Sequence, residues 1–414
     1  MKDLQKTVRE VNLQKFLAPA ALVIIYIFFG IFGRNFFSYS SLINILDASY
    51  YIGFLAMGVT FVIITGGIDL SCGTVMMCAS IIGGTAYKSW GWPMWLALIA
   101  IMAIAIGFGF FNGLMVSRLR LPPFIATLGT MMISMGIGSI VSNVRSATFP
   151  TRSEADGWFK SIFKYLSEDN EAVPTGFIVL IVVASIAALI LTKTKMGRYI
   201  FAVGSNKEAA RLSGVNVKLW EMMAYVVSGV MAGIGGIAFA AVYTTVMPAQ
   251  GQGFELYAIA GAVVGGTSLS GGIGSVFGTL IGVYIMSVLR VGLPSMDLQA
   301  HYQTFFTGVV VIGAVLLDIY RNKKAAEVKI LTPAEAFKRA EREKIAALKS
   351  ELAHMSGENA ARKREEIAAA RAALNAAYKK IRMEEKTQLH RIHAEEKAAE
   401  KVFHHTQKHP EEEN

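Results

Sequence analysis

Ten apolar runs fill residues 16–320, and no other feature of this chain narrows its possible folds so sharply. A helix needs about 20 apolar residues to cross the hydrocarbon core of a bilayer. Runs at 16–33, 46–65, 72–87, 93–116, 124–143, 175–192, 222–243, 254–269, 273–289 and 302–319 reach or approach that length. They predict an all-α integral membrane protein with about ten transmembrane helices. Hydrophobic residues make up 53% of the chain and 39 residues are Gly, which suits helices packed closely in lipid. Residues 321–414 differ. Lys, Arg, Glu, Ala and His dominate them, so they predict a charged helical tail. The expected domains are an N-terminus at 1–15, a membrane domain at 16–320 and the tail at 321–414.

The positive charges give the expected orientation. Lys2, Lys6, Arg9 and Lys15 precede the first run, and Arg118 and Arg120 follow the fourth. Lys193, Lys195, Arg198, Lys207, Arg211 and Lys218 follow the sixth, and Arg321, Lys323 and Lys324 follow the tenth. With ten crossings every group falls on the cytoplasmic side, and both termini with them. Nine or eleven would put the last group outside. Trp90, Trp92 and Trp95 then form an outer aromatic belt, with Trp220 at an inner helix end. The segment 144–174 becomes the largest outer loop, carrying Trp158 and Phe159, either simply solvated or a docking surface for an outside partner. The segment 193–221 becomes a charged inner loop.

The net charge of +10 is spread between the apolar runs and over the tail, so it argues for membrane orientation and against nucleic acid. Cys72 and Cys78 lie six residues apart in one run, face different ways and read as packing residues. No Cys/His set has metal-ligand spacing, and no metal site is expected. Neither a Ser/His/Asp set nor a paired carboxylate stands out, so an enzyme has little support; lone His301 reads as interfacial.

Two Gly-rich stretches interrupt the apolar pattern. Gly265-Gly266-Thr267-Ser268-Leu269-Ser270-Gly271-Gly272 joins the eighth and ninth runs, and a similar pattern spans Gly66–Gly73, with Gly67 at its second position. Both predict helix breaks, which membranes tolerate only where protein or a water-filled path surrounds them. Their similarity hints at an internal repeat. In the charged loop, Asn206 or Ser205 caps a short helix through Glu208-Ala209-Ala210-Arg211-Leu212, and Gly214 ends it. A short amphipathic helix held at the membrane face suits a soluble partner.

Glu208-Ala209-Ala210, followed after three residues by Gly214, resembles the EAA loop of bacterial ABC importer permeases. Three further segments resemble the ribose/galactose (methyl-galactoside) branch of the branched-chain amino acid/ribose-type permease family. They are Thr65-Gly66-Gly67-Ile68-Asp69-Leu70-Ser71, Pro123-Phe124-Ile125-Ala126-Thr127-Leu128-Gly129-Thr130, and Glu255-Leu256-Tyr257-Ala258-Ile259-Ala260 leading into Gly265–Gly272. The resemblance covers about residues 40–320 and keeps the motifs in order. It implies a type II-like ABC importer permease in the bacterial inner membrane, moving a monosaccharide such as ribose, galactose or glucose. Glu208, Ala209, Ala210, Arg211 and Gly214 would couple it to a separate ABC ATPase. Other implied partners are an extracytoplasmic sugar-binding protein and a second permease copy, identical or a close paralogue. ATP and Mg would be used by the ATPase, with no cofactor bound directly; this chain contains no GxxxxGK[ST] loop.

Polar residues within the runs are the expected path, because such groups are costly in lipid. They are Asp69, Asn112, Glu255 and Tyr257, with Gln250 and Gln252 nearby. Asp69 can equally brace a helix end, and Asn112 can bond across helices. Asp318 is expected at the interface beside Arg321. An ion-coupled secondary sugar carrier is the alternative, for which Asp69 and Glu255 would be the ion site. In the tail, Ile345, Leu348, Leu352 and Met355, and then Ile367, Ala370, Leu374, Ala377 and Ile381, follow helical spacing around a break at Ser356-Gly357-Glu358-Asn359, either as a pairing hairpin or coiled coil or as solvated helices. His404, His405 and His409 read as a loose terminus.

Overall fold

The computed structural model describes residues 18–167 and 171–329, and beyond them 337, 341, 345, 348, 362–384 and 387. Expectations for the N-terminal lysines, the 356–359 break, Leu352, Met355 and the terminal histidines lie outside those residues. The described chain is helical where the apolar runs predict it. The helices are α1 (Ala18–Phe32), α2 (Tyr39–Ile64), α3 (Cys72–Trp90), α4 (Met94–Ser117), α5 (Pro123–Val141) and α6 (Thr175–Lys193). After them come α7 (Lys195–Ser205), α8 (Lys207–Leu212), α9 (Val217–Tyr243), α10 (Phe254–Val264), α11 (Val276–Ser295) and α12 (Ala300–Lys329). Seven are long and apolar enough to cross a membrane, namely α2, α4, α5, α6, α9, α11 and the His301–Tyr320 part of α12. Helices α1 and α10 are apolar but shorter, and α3 has 19 residues with several Gly and Lys88.

Several boundaries differ from the apolar runs for identifiable reasons. Helix α2 starts at Tyr39, seven residues before its run, because Ser38 caps it by accepting a hydrogen bond from the Ser41 N–H at 3.2 Å. Helix α10 stops at Val264, since Gly266 takes φ +98° and ends it. Helix α11 continues past the run's end through Arg290 to Ser295.

Helix α2 is the centre of the fold: its spanning window is wholly buried within the protein, against 11% for that of α12. Helices α4 and α9 meet closely because small residues face each other. A Cβ at Gly109 would lie 2.5 Å from the Tyr225 carbonyl oxygen, and one at Gly229 would lie 2.5 Å from that of Ala105. This approach carries Asn112 and Ser228 toward the first Gly-rich break.

The 144–174 loop is more ordered in plan than its polar sequence predicts. Strand β1 (Ala147–Thr148) lies in it, as do a 3-10 helix at Ala155–Ile162 and the paired β2 (Tyr165–Leu166) and β3 (Ala172–Val173). Strand β1 pairs antiparallel with β4 (Thr245–Val246), tying the loop to the end of α9. Phe149 and Phe159 are buried there, 5.9 Å apart, whereas Trp158 is exposed. Lys164 reaches down to Asp47 of α2 at 2.6 Å. Lys160 is buried beside Thr244, and burial pushes its ammonium down to about 8, with the Arg152 charge adding to the effect. Because the folded value lies below the ordinary one, this group destabilises the fold at neutral pH, and the penalty lifts as pH rises from about 8 toward 10.5. Lys160→Met is therefore expected to raise thermal stability at pH 7 by about 1–2 kcal/mol, net of the lost Thr244 bond. The gain should shrink at pH 9, as read by unfolding in detergent; an equal gain at both values would contradict a charge penalty.

Residues 320–414 form a separate compact unit. Within it Ile345, Ile367 and Leu374 are buried together against Phe337, Leu348 and Ala370, so apolar positions on either side of the sequence break do meet.

Candidate functional site

Helix α8 is short and turned outward. Asn206 caps it, its Oδ1 accepting a hydrogen bond from the Ala209 N–H at 2.9 Å; of the two expected caps, the structure uses Asn206. Gly214, at φ +81°, follows its end. Ala210 alone is buried; Glu208, Ala209, Arg211 and Leu212 are exposed, Leu212 at 84%. Glu208 and Arg211 pair at 2.7 Å one turn apart, and Lys207 anchors the helix to α9 through Glu221 at 2.5 Å. The exposed face thus offers two charges and an uncovered leucine.

The chain immediately before α8 meets both helix breaks. The Gly272 N–H donates to the Ile64 carbonyl at 2.8 Å, joining the second break to the end of α2. Gly204 sits on that joint, where a Cβ would overlap the Ile64 oxygen and stand 2.6 Å from the Gly272 nitrogen. Gly271, at φ +82°, presses from the other side, 2.8 Å from the Gly204 oxygen by the same measure. Sequence reading missed Gly204, because an isolated glycine in a helix carries no signal of what lies against it. The breaks are real, but their glycines do not play matched parts. Gly66 ends α2 with φ +79°, whereas Gly266, not Gly265, ends α10, so the sequence repeat is offset by one residue from the structure.

Each break is held by a buried carboxylate. Asp69 Oδ1 accepts from the Ser71 N–H at 2.9 Å and the Ser71 hydroxyl at 2.7 Å, while Oδ2 accepts from the Ser228 hydroxyl at 2.7 Å. Asn112 Nδ2 donates to Ser71 Oγ at 2.8 Å, and the Tyr225 hydroxyl donates to the Ile68 carbonyl at 3.2 Å. Asp318 holds the second break. It is buried within the protein, its Oδ2 accepting from the Leu269 N–H at 3.0 Å and the Ser268 hydroxyl at 3.2 Å.

Of the other expected path residues, Glu255 reaches the end of the first Gly-rich stretch, its Oε2 lying 3.0 Å from where a Cβ on Gly73 would stand. Glu255 is buried at the start of α10, both oxygens accepting from the Gly253 N–H at 2.9 and 3.0 Å. Tyr257 is partly exposed, and its ring lies 5.5 Å from the guanidinium of Arg290. Gln250 is engaged with the Met247 N–H and Gln252 is exposed. Arg290 was not among the expected residues; ending the ninth run at its first charge left it out.

Residues 41–315, from α2 into α12, match the family described as the branched-chain amino acid transport system permease component. The chain belongs to that family. The matched region holds the breaks, the α8 loop and Asp69, and leaves out α1, Asp318 and the tail. A ribose import permease of Escherichia coli is 36% identical over 311 residues, 73% of this chain and 92% of that protein. A fructose import permease of Rhizobium meliloti is 34% identical over 327 residues, covering 76% and 90%. A xylose transport system permease of Haemophilus influenzae is 31% identical over 373 residues, covering 76% and 99%. Family membership and the apolar helices make this a multi-pass membrane transport subunit.

Proposed function

We propose that this chain is the transmembrane permease of an ATP-driven importer of a monosaccharide in the bacterial inner membrane. A separate ABC ATPase docks on α8 and uses ATP and Mg, and an extracytoplasmic sugar-binding protein delivers the sugar. Two permease copies, identical or closely related, enclose the path, and both termini are cytoplasmic. The observation carrying this reading is the position of α8: exposed on its outer face, and continuous with Gly204, on which both helix breaks converge. A partner that shifts α8 therefore moves the ends of α2 and the 265–272 loop together. The names of the similar proteins support the substrate class. An ion-coupled carrier would need a free buried carboxylate, and both oxygens of Asp69 and of Glu255 are engaged.

The test is affinity purification of the tagged protein from gently solubilised membranes, with its companions identified by mass spectrometry. An ABC ATPase should accompany the parental chain. Glu208→Lys breaks the Arg211 pair and reverses the charge on the docking face, so it should cut recovery of the ATPase at least tenfold. The variant's own unfolding free energy should stay within about 0.5 kcal/mol of the parent's, since exposed pairs contribute little. Undiminished ATPase recovery in the variant would refute the docking role of Glu208.

A further inference from the structure

Arg290 is a cation in a membrane helix with no counter-ion among the described residues. Rings surround it: its guanidinium carbon lies 5.6 Å from the centroid of Tyr51, 5.3 Å from Phe254 and 5.5 Å from Tyr257. Among the described residues it makes no hydrogen bond or ion pair, so its N–H donors have no protein acceptor. The Tyr51 hydroxyl, buried beside it, has no partner of normal hydrogen-bond geometry among the described residues, the Tyr243 hydroxyl being its polar neighbour. A buried polar group left unmatched is costly, and an intramembrane charge marks a functional site by default. Partly exposed Tyr257 and exposed Tyr243, whose ring lies 6.0 Å from Tyr51, open the cluster to the surface.

The cluster lies far from α8. Gly272, three residues before the next cap, touches the α8 side, and Arg290 is 14 residues beyond Val276. At about 1.5 Å per residue that is roughly 21 Å across the membrane domain. On the importer reading, this is the side from which solute arrives.

Resting on that reading, we propose that Arg290, with the hydroxyls of Tyr51 and Tyr257, is a contact site for a neutral, hydroxyl-rich ring such as a monosaccharide. Sugar hydroxyls accept from the guanidinium edge, the tyrosine hydroxyls take the remaining donors and acceptors, and an aromatic face covers the C–H side of the ring. The three rings hold the guanidinium in place without satisfying its donors, so the cation is oriented and still available.

The assay uses the full complex in proteoliposomes with Tyr243→Cys as reporter; the native Cys72 and Cys78 are buried. A water-soluble thiol reagent should label residue 243 about tenfold more slowly when ribose, fructose or xylose is present at millimolar concentration, for whichever of the three is transported. Adding Arg290→Gln should abolish that protection. Tyr257→Phe, which keeps the ring and deletes one hydroxyl, should weaken it about threefold and guards against misfolding of the arginine variant. Protection that survives both changes would overturn the assignment. So would absent protection in a parental complex that takes up one of the sugars, and then the importer reading would stand. A parental complex with no ATP-driven uptake of these three, nor of galactose, glucose or allose, would remove both.

Discussion

Gly204→Val is expected to reduce ATP-driven uptake to below about 1% of the parental rate. A side chain at this position has nowhere to go. Its first carbon would overlap the Ile64 carbonyl oxygen and crowd the Gly272 amide, and all the atoms in the way are backbone. Flexible side chains can turn aside, but here α7 must move away from α2 or the Gly272–Ile64 hydrogen bond must open. Overpacking of this kind costs about 1–3 kcal/mol even where neighbours can yield. The membrane domain has larger reserves in its core, so the damage should fall on coupling. Purified complex should retain folded helix content and ATPase activity while sugar moved per ATP hydrolysed collapses. Gly271→Ala should act in the same direction but more weakly, since it adds left-handed strain and a 2.8 Å approach to the Gly204 oxygen. Near-parental uptake by Gly204→Val would show that α8 does not act through this joint.

Much of the architecture could be read from residue type because hydrophobic length and capping are local. The apolar runs placed the helices, and Asn206 and Gly214 marked the ends of α8. What escaped was non-local. Gly204 is unremarkable in its own helix; only the close approach of Ile64 and Gly272 makes it special. Asp318 stands one turn from a cluster of positive charges, and only the fold shows that the 268–269 backbone reaches it. Arg290 was lost to a rule that is sound on average: a charge ends an apolar run. Three aromatic rings from α2 and α10 let α11 continue through that charge, and no local pattern announces them. The strand pair Ala147–Val246 joins segments about a hundred residues apart, each too short to carry an alternation signal.

Asp69 separates bracing from transport, and two substitutions resolve it. Asp69→Ala deprives the Ser71 N–H, the Ser71 hydroxyl and the Ser228 hydroxyl of their acceptors in a buried site. Each orphaned donor costs about 1–3 kcal/mol, and the losses are not additive, so a total of about 3–5 kcal/mol is expected. Little folded protein should be recovered from membranes. Asp69→Asn is different. With its carbonyl oxygen toward Ser71, its amide points at Ser228, whose hydroxyl can rotate and accept. Every bond survives in altered polarity, and the expected cost falls to about 1 kcal/mol. Folded yield of the asparagine variant should therefore stay near parental, and its uptake reports on the charge alone. Uptake above about half the parental rate would make Asp69 a brace that fixes the break between α2 and α3. A well-folded asparagine variant without uptake would place the negative charge itself in the working cycle, and the bracing account would then be insufficient.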